Sequence, residues 1–320
     1  MFAPLVSIIM PVKNAEPFLQ ECLESILKQT FQHWELIAIE DHSTDSSISI
    51  LRDYAQSESR IHVYENRQSG IISALQMALE KCSGSYITRM DADDIMPADR
   101  LQKMHMAIAR QKKKSVVTGL VKYFSDHPVS PGYQKYEKWL NRVNIENKQW
   151  ENVYRECVIA SPNWLTRKED LVNIGGFKDL IYPEDYHLVL KWYQHEFTIA
   201  VIPETTLFWR EHPQRTSRNS ENYGQKAFFE LKINAFIEQD FKSDNLVIWG
   251  DNEKTKLTDQ ILRKQKIPFI HLKKSTFNEI EKISQPQLLV GVYPMPKERM
   301  KLENYLQQLH LYEGIHWWYL

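Results

Sequence analysis

The sequence predicts an α/β protein: a mixed, mainly parallel sheet with helices on both faces, followed by a smaller α/β unit. Three observations carry this prediction. Short apolar runs with β-branched residues alternate with segments of helical spacing through the first hundred residues. The same alternation begins again near residue 246. Polar or acidic turns follow three of the early strands, at Pro11–Asn14, Glu40–Asp45 and Arg89–Asp94. Such turns lie along one edge of a parallel sheet, and that edge is where ligands bind.

The elements follow in order. Leu5–Met10 is a buried-strand run closed by Pro11. Glu16–Thr30 carries Phe18, Leu19, Cys22, Leu23, Ile26 and Leu27 at helical spacing, with Pro17 in its first turn. Trp34–Ile39 is a second strand, Ser46–Tyr54 a helix, Ile61–Glu65 a third strand and Gly70–Lys81 a third helix. Tyr86–Met90 leads into the acidic stretch. Arg100–Lys114 is a helix whose closing lysines complement its dipole. Val116–Phe124 is a strand, and Tyr133–Val158 an aromatic-rich helical stretch. Ala160–Pro162 and Trp164–Arg167 read as one strand, and a helix opens on Glu184 and Asp185. Ile199–Ile202 is a strand. Pro213–Gly224 is a polar loop with Arg215 and Arg218, of the kind that folds over a bound nucleotide.

A helix over Tyr223–Gln239 leads to the second unit. Its strands are Leu246–Gly250, Pro268–Leu272 and Leu288–Val292; its helices are Thr255–Lys264 and Glu298–Leu309. The expected division is a domain over 1–222, a linking helix over 223–243 and a small domain over 244–320. After its first strand only Gly250 matches the G-x-G-x-x-G of a dinucleotide site, and Asp251 puts negative charge where pyrophosphate would lie. No NAD or FAD binding is expected.

Composition excludes several classes. With 320 residues, 42% apolar and 25% charged, the chain has an ordinary globular make-up. A net charge of -1 argues against nucleic acid as a partner. The apolar runs fall short of the ~20 residues that span a bilayer. Met1–Met10 has neither a basic start nor a long apolar core, so no leader is expected. Cys22, Cys82 and Cys157 form no disulfide or zinc pattern, which fits a reducing cytoplasm.

Asp91, Asp93 and Asp94 fall within four positions after a strand. Carboxylates so close repel one another unless a cation stands between them. A hard divalent ion with oxygen ligands, leaving room for a substrate phosphate, answers that need. A solvated acidic turn or an Asp helix cap is the plainer alternative.

The flanking residues favour the first reading. The stretch from Arg89 to Leu101 resembles the "RMDADD…P.RL" signature of family 2 glycosyltransferases, which have the GT-A fold. Val6–Asn14 resembles that family's first nucleotide-binding strand. Glu40–Asp45 resembles its "DDGSTD" turn, with His42 where glycine is usual. Asn66, Gly70 and Ala74 are similar to its "N.G…A.N" segment, with Gln76 in place of the second asparagine. The resemblance implies that Asp41 accepts hydrogen bonds from the nucleobase and that Pro11, Val12 and Asn14 line base and ribose. Arg67, near Gly70, would touch the phosphates or the base. Asp91 and Asp93 would hold Mn²⁺ or Mg²⁺ against the diphosphate.

Gly175-Gly176-Phe177 and the later Glu184-Asp185-Tyr186 resemble "GGF…EDYDLWLR", which implies Asp185 as general base and Glu184 as the runner-up. Trp209-Arg210-Glu211-His212 resembles "YR.H…S", which implies His212 as a third metal ligand or a donor to the diphosphate. The C-terminal unit resembles a degenerate Rossmann-like tail, for which a docking or homodimerising role is expected.

The implied activity is metal-dependent, inverting transfer of a sugar from a nucleoside diphosphate sugar, a UDP-sugar first, to a glycan or lipid-linked acceptor hydroxyl. Surface polysaccharide assembly is the implied setting, in the cytoplasm or peripherally at the inner face of the plasma membrane. A sugar nucleotidyltransferase is one rival. It would want a Gly-rich phosphate loop where Pro11-Val12-Lys13-Asn14-Ala15 has no glycine. A non-catalytic scaffold is the other, and the intact Asp91, Asp93 and Asp185 argue against it.

Overall fold

In the computed structural model, residues 5–292 and 294–320 are described. Residues 1–4, part of the stretch read for a leader, lie outside them. Two compact units are present. One runs to Asn147 and takes in Ile159–Arg215; the other comprises Lys148–Val158 and Thr216–Leu320.

The first unit is built on strands β1 (Val6–Val12), β2 (Trp34–Glu40), β3 (Ile61–Glu65), β4 (Tyr86–Arg89), β5 (Ser115–Phe124), β6 (Trp164–Arg167) and β7 (Thr198–Arg210). Its helices are α1 (Glu16–Leu27), α2 (Ser47–Ser57), α3 (Ile71–Lys81), α4 (Arg100–Ala109), α5 (Pro131–Ile145), α6 (Lys168–Asn173) and α7 (Glu184–Gln194). The strand order is β3-β2-β1-β4-β6-β5-β7. All neighbours are parallel except β6, which runs antiparallel to both β4 and β5. This is the mixed, mainly parallel sheet that the alternation predicts. Strands β1 and β2 are buried almost throughout, because helices cover both faces; hence their unbroken apolar runs.

Several details differ from the sequence reading. Ala160–Pro162 is a turn rather than a strand end, since Asn163 donates its N–H to the Ala160 carbonyl. The long helical stretch stops at Ile145, and only a short 3₁₀ turn, Trp150–Asn152, follows. The Ile199–Ile202 run is part of one strand that continues to Arg210. That length matters: Ile95 and Phe208 exchange backbone hydrogen bonds at 3.1 and 3.0 Å. The acidic turn is thereby stitched to the end of β7.

The second unit holds α8 (Thr216–Asn219), α9 (Gln225–Gln239), β8 (Leu246–Trp249), α10 (Glu253–Lys264), β9 (Ile270–Leu272), β10 (Gln287–Val290), α11 (Pro296–Gln308) and β11 (Trp317–Tyr319). Its parallel sheet has the order β11-β10-β8-β9. Trp249, Trp317, Leu288, Val290 and Leu306 share its core. The turn after β10 is closed by packing: a Cβ on Gly291 would stand 2.3 Å from Thr255 Cγ2.

Candidate active site

The loops after β1, β2 and β3 are knitted by side-chain hydrogen bonds. Asn14, in the left-handed region at φ 49°, accepts from Thr44 N at 2.8 Å, and its own N–H donates to Ser43 Oγ. Pro11 and Val12 close β1 just before it. Asp41 is buried, and its Oδ1 accepts from Asn66 Nδ2 at 2.7 Å and from Gly70 N at 2.9 Å. Its Oδ2 faces Lys13 Nζ at 3.4 Å. Gly70 takes φ +113°, a conformation L side chains rarely adopt. His42 sits at φ 55°, which explains why glycine is the usual occupant of its position. Arg67 is exposed. Asp41 therefore stands among Lys13, Asn66 and Gly70, binding three loops together.

The acidic turn is more strained electrostatically. Asp91 is partly exposed; its Oδ1 accepts from Arg89 Nε at 2.6 Å and its Oδ2 faces Ser161 Oγ at 3.4 Å. Burial raises its carboxyl, an effect that the Arg89 charge opposes and Asp93 adds to. Asp93 Oδ2 lies 2.8 Å from His212 Nε2. Burial pushes Asp93 upward, but the His212 hydrogen bond and the Arg215 charge hold it below the usual carboxylate range. Asp94 is 1% exposed. Its Oδ1 accepts from Arg210 N at 2.8 Å, while Oδ2 has no hydrogen-bond partner. Burial, then the charges of Asp93 and Asp91, push its carboxyl well above the ordinary value.

Residues from the end of β7 and the loop after it shape this turn. Arg210 donates Nε to the Asp93 carbonyl and Nη2 to Glu21, and lies against Phe18 and Phe124. Arg215 lies over Trp209, Tyr133 and Tyr123, its Nη1 donating to the Arg210 carbonyl. His212 packs on Phe18, ring centroids 4.3 Å apart, and its Nδ1 is buried without a partner.

The residues present fit a hard divalent ion by chemistry. Two carboxylates, an imidazole, a buried orphan oxygen on Asp94 and mutual repulsion among three acids make up the donor set. Among the described residues, no three His, Cys, Asp or Glu side chains already form a metal cage. Asp91 is turned to Arg89 and Asp93 to His212.

Helix α7 supplies the second acid pair. It opens on Glu184, so Glu184 and Asp185 fall in its first turn, where the helix dipole favours negative charge. Glu184 is buried, and its Oε1 accepts from Arg89 Nη1 at 3.0 Å. Asp185 Oδ1 accepts from Tyr186 N at 2.8 Å. Burial, then the Glu184 charge, push the Asp185 carboxyl up to about 7. The Tyr182 phenol accepts from Ile72 N and lies 3.4 Å from where a Cβ on Gly70 would be.

Asp41, Gly70, Asp91, Asp93, Glu184, Asp185 and His212 thus gather on one edge of the first sheet. Arg89, Arg210 and Tyr182 join them, although nothing in the sequence assigned them a task. Their signal was proximity to the motifs; their partners lie far along the chain, as Arg89 and Glu184 do at 95 positions.

The model of the glycosyl transferase family 2 matches residues 7–175. The chain belongs to that family. It is 28% identical over 216 residues to the uncharacterized glycosyltransferase EpsJ of Bacillus subtilis (strain 168), covering 66% of this chain and 62% of that protein. Over 101 residues it is 41% identical to the putative teichuronic acid biosynthesis glycosyltransferase TuaG of the same strain, covering 31% of this chain and 40% of TuaG. The chain therefore spans less than two thirds of the length of both relatives. Among solved structures, S. aureus TarS 1–349 in complex with UDP-GlcNAc aligns with a TM-score of 0.57 at 17% identity, covering 81% of this chain and 71% of that one. The mannosyltransferase PcManGT from Pyrobaculum calidifontis, in complex with GDP-Man and Mn²⁺, aligns at 0.56 and 21%, covering 76% and 66%. At such identities these likenesses bear on the fold, and it is the expected one. No helix among the described residues is long and apolar enough to cross a membrane.

Proposed function

We propose that this chain transfers a sugar from a nucleoside diphosphate sugar to an acceptor hydroxyl, by a single displacement that inverts the anomeric centre. Asp91 and Asp93, with His212 as third ligand, would hold Mn²⁺ or Mg²⁺. Bound there, the ion supplies Lewis-acid neutralisation of the charge on the leaving diphosphate. Asp185 takes the acceptor proton as the acceptor oxygen bonds to the anomeric carbon and the bond to the diphosphate breaks. One base and one leaving group on opposite faces imply inversion. Glu184 is occupied by Arg89, so Asp185 is the better base. Asp41, Asn14, Pro11, Val12 and Gly70 would seat the nucleoside, with Arg67 at its rim.

The single observation that carries the reading is the placement of Asp185 in the first turn of α7, beside Glu184, which Arg89 joins to Asp91 of the acidic turn. Burial and Glu184 push the Asp185 carboxyl up to about 7. A base poised near neutral pH beside a diphosphate-binding edge suits proton removal from a sugar hydroxyl. UDP-sugars are the first donors to test. Structural neighbours bind UDP-GlcNAc in one case and GDP-Man in another, so both bases belong in the panel. The acceptor would be a glycan or a lipid-linked glycan, in surface polysaccharide assembly on the cytoplasmic side of the membrane; among the relatives, TuaG is named for teichuronic acid biosynthesis. The C-terminal unit would dock or dimerise the enzyme.

The test is release of nucleoside diphosphate from UDP-GlcNAc, UDP-Glc, UDP-Gal and GDP-Man, with Mn²⁺ and with chelator. Metal-dependent release supports the proposal. Pyrophosphate release from nucleoside triphosphate and sugar phosphate would overturn it.

A further inference from the structure

We propose that Arg89 is the positioning residue of this site: its guanidinium ties the acidic turn after β4 to the first turn of α7 and holds the two at one spacing. This rests on the transferase reading above. Arg89 closes β4, and its side chain is 5% exposed. Nε donates to Asp91 Oδ1 at 2.6 Å and Nη1 to Glu184 Oε1 at 3.0 Å. Both nitrogens belong to one rigid plane, so two carboxylates bound to it cannot drift independently. Asp185 follows Glu184 in the same helical turn. Whatever frees Glu184 therefore also frees the assigned base.

The anchor beneath Arg89 is firm. Arg100 is fully buried, and its Nη2 donates to the Arg89 carbonyl at 3.3 Å, to Thr88 Oγ1 at 3.1 Å and to the Pro162 carbonyl at 2.5 Å. That fixes the backbone from which Arg89 projects. On the far side, the Tyr182 phenol accepts from Ile72 N, which ties the chain just before α7 to the first turn of α3. A lysine at position 89 would supply charge but not the fork, being a point charge on a flexible stem. Groups that orient a metal ligand are worth about 10- to 100-fold in metal affinity.

The experiment compares the wild-type chain with Arg89→Lys and Glu184→Leu. Calorimetry measures UDP binding with and without MnCl₂, thermal melting reports folding, and steady-state kinetics use the nucleotide sugar that the wild type turns over. For Arg89→Lys, Mn²⁺-dependent UDP binding should weaken by about 10- to 100-fold. Glu184→Leu removes the acceptor of Arg89 Nη1 and leaves the Arg89–Asp91 bond in place, so kcat should fall while the donor KM stays near wild type. If Arg89→Lys binds Mn²⁺–UDP and turns over like wild type, the proposal is wrong. It is equally wrong if both variants only melt lower, with kcat and KM unchanged in the folded protein. Should Arg89→Lys not fold, Arg89→Gln, which keeps donors but not the fork, takes its place in the calorimetry with the same two outcomes. Failure of the parent reading looks different: the wild type itself would then release no nucleoside diphosphate from any donor, and this proposal would fall with it.

Discussion

Two buried carboxylates at opposite edges of the first sheet are treated in opposite ways. Glu35, near the start of β2, accepts from Ser7 Oγ, Ser83 N, Ser83 Oγ and Gly84 N. Burial raises its carboxyl, yet those donors hold it below the usual value. Asp94, beyond the end of β4, has one backbone donor and an orphan oxygen, and its carboxyl is pushed well above the usual value. A buried charge surrounded by donors is part of the architecture. A buried acid left short of them, among others of its own sign, is where the proposed cation would bind. On that proposal the contrast separates acids that hold the sheet together from acids kept ready for a ligand.

The largest expected effect lies on the ligand-ready side. Asp185→Asn should lower turnover by about 10²–10⁴ while Mn²⁺-dependent UDP binding persists. Steady-state kinetics and calorimetry together check it, and full turnover in the variant would remove Asp185 as base. The base works only when deprotonated, so wild-type kcat should climb with pH through about 7. A profile flat across that range would contradict the assignment.

Next comes the architectural acid. Glu35→Gln should cost about 1–3 kcal/mol, seen as a lower Tm, with UDP binding unchanged. A carboxyl depressed by folding contributes stability above its unfolded pKa, and that contribution is lost as pH falls through the folded one. The gap between wild type and variant should therefore narrow toward acid.

Asp94→Asn should behave in the reverse manner. A carboxyl raised by folding contributes stability at low pH that is lost as pH rises. The metal-free variant should therefore melt higher than wild type, by a margin that grows with pH, and saturating Mn²⁺ should shrink or reverse it. An Asp94→Asn variant that melts lower at every pH would erase the distinction between the two edges. The smallest effect is His42→Gly. Relief of the left-handed backbone, offset by glycine's greater chain entropy, should stabilise by up to about 1 kcal/mol in a denaturant titration.

Much of this was legible beforehand. The runs that became β1, β2 and β8 read as buried strands because they are short, rich in β-branched or aromatic residues and closed by turn residues. The acidic turn was legible because its three carboxylates are neighbours in the chain, and repulsion between neighbours needs no fold to be noticed. The Glu184–Asp185 pair was visible, but the difference between its members was not. Glu184 accepts a hydrogen bond from a guanidinium 95 positions away, whereas Asp185 accepts one from the N–H of its own neighbour Tyr186. Residues 148–158 fall within the expected first domain and helical stretch, whereas they pack with the second unit.

What the sequence by itself determined is the alternation of strands and helices, the family, and the residue types along one sheet edge. Periodicity and local charge are properties of adjacent residues, so they survive without coordinates. Only the tertiary structure decided which acids are satisfied and which are left wanting. That depends on donors such as Arg89, Arg210 and Arg100, brought from distant segments into a low-dielectric interior where each missing hydrogen bond shifts a proton equilibrium.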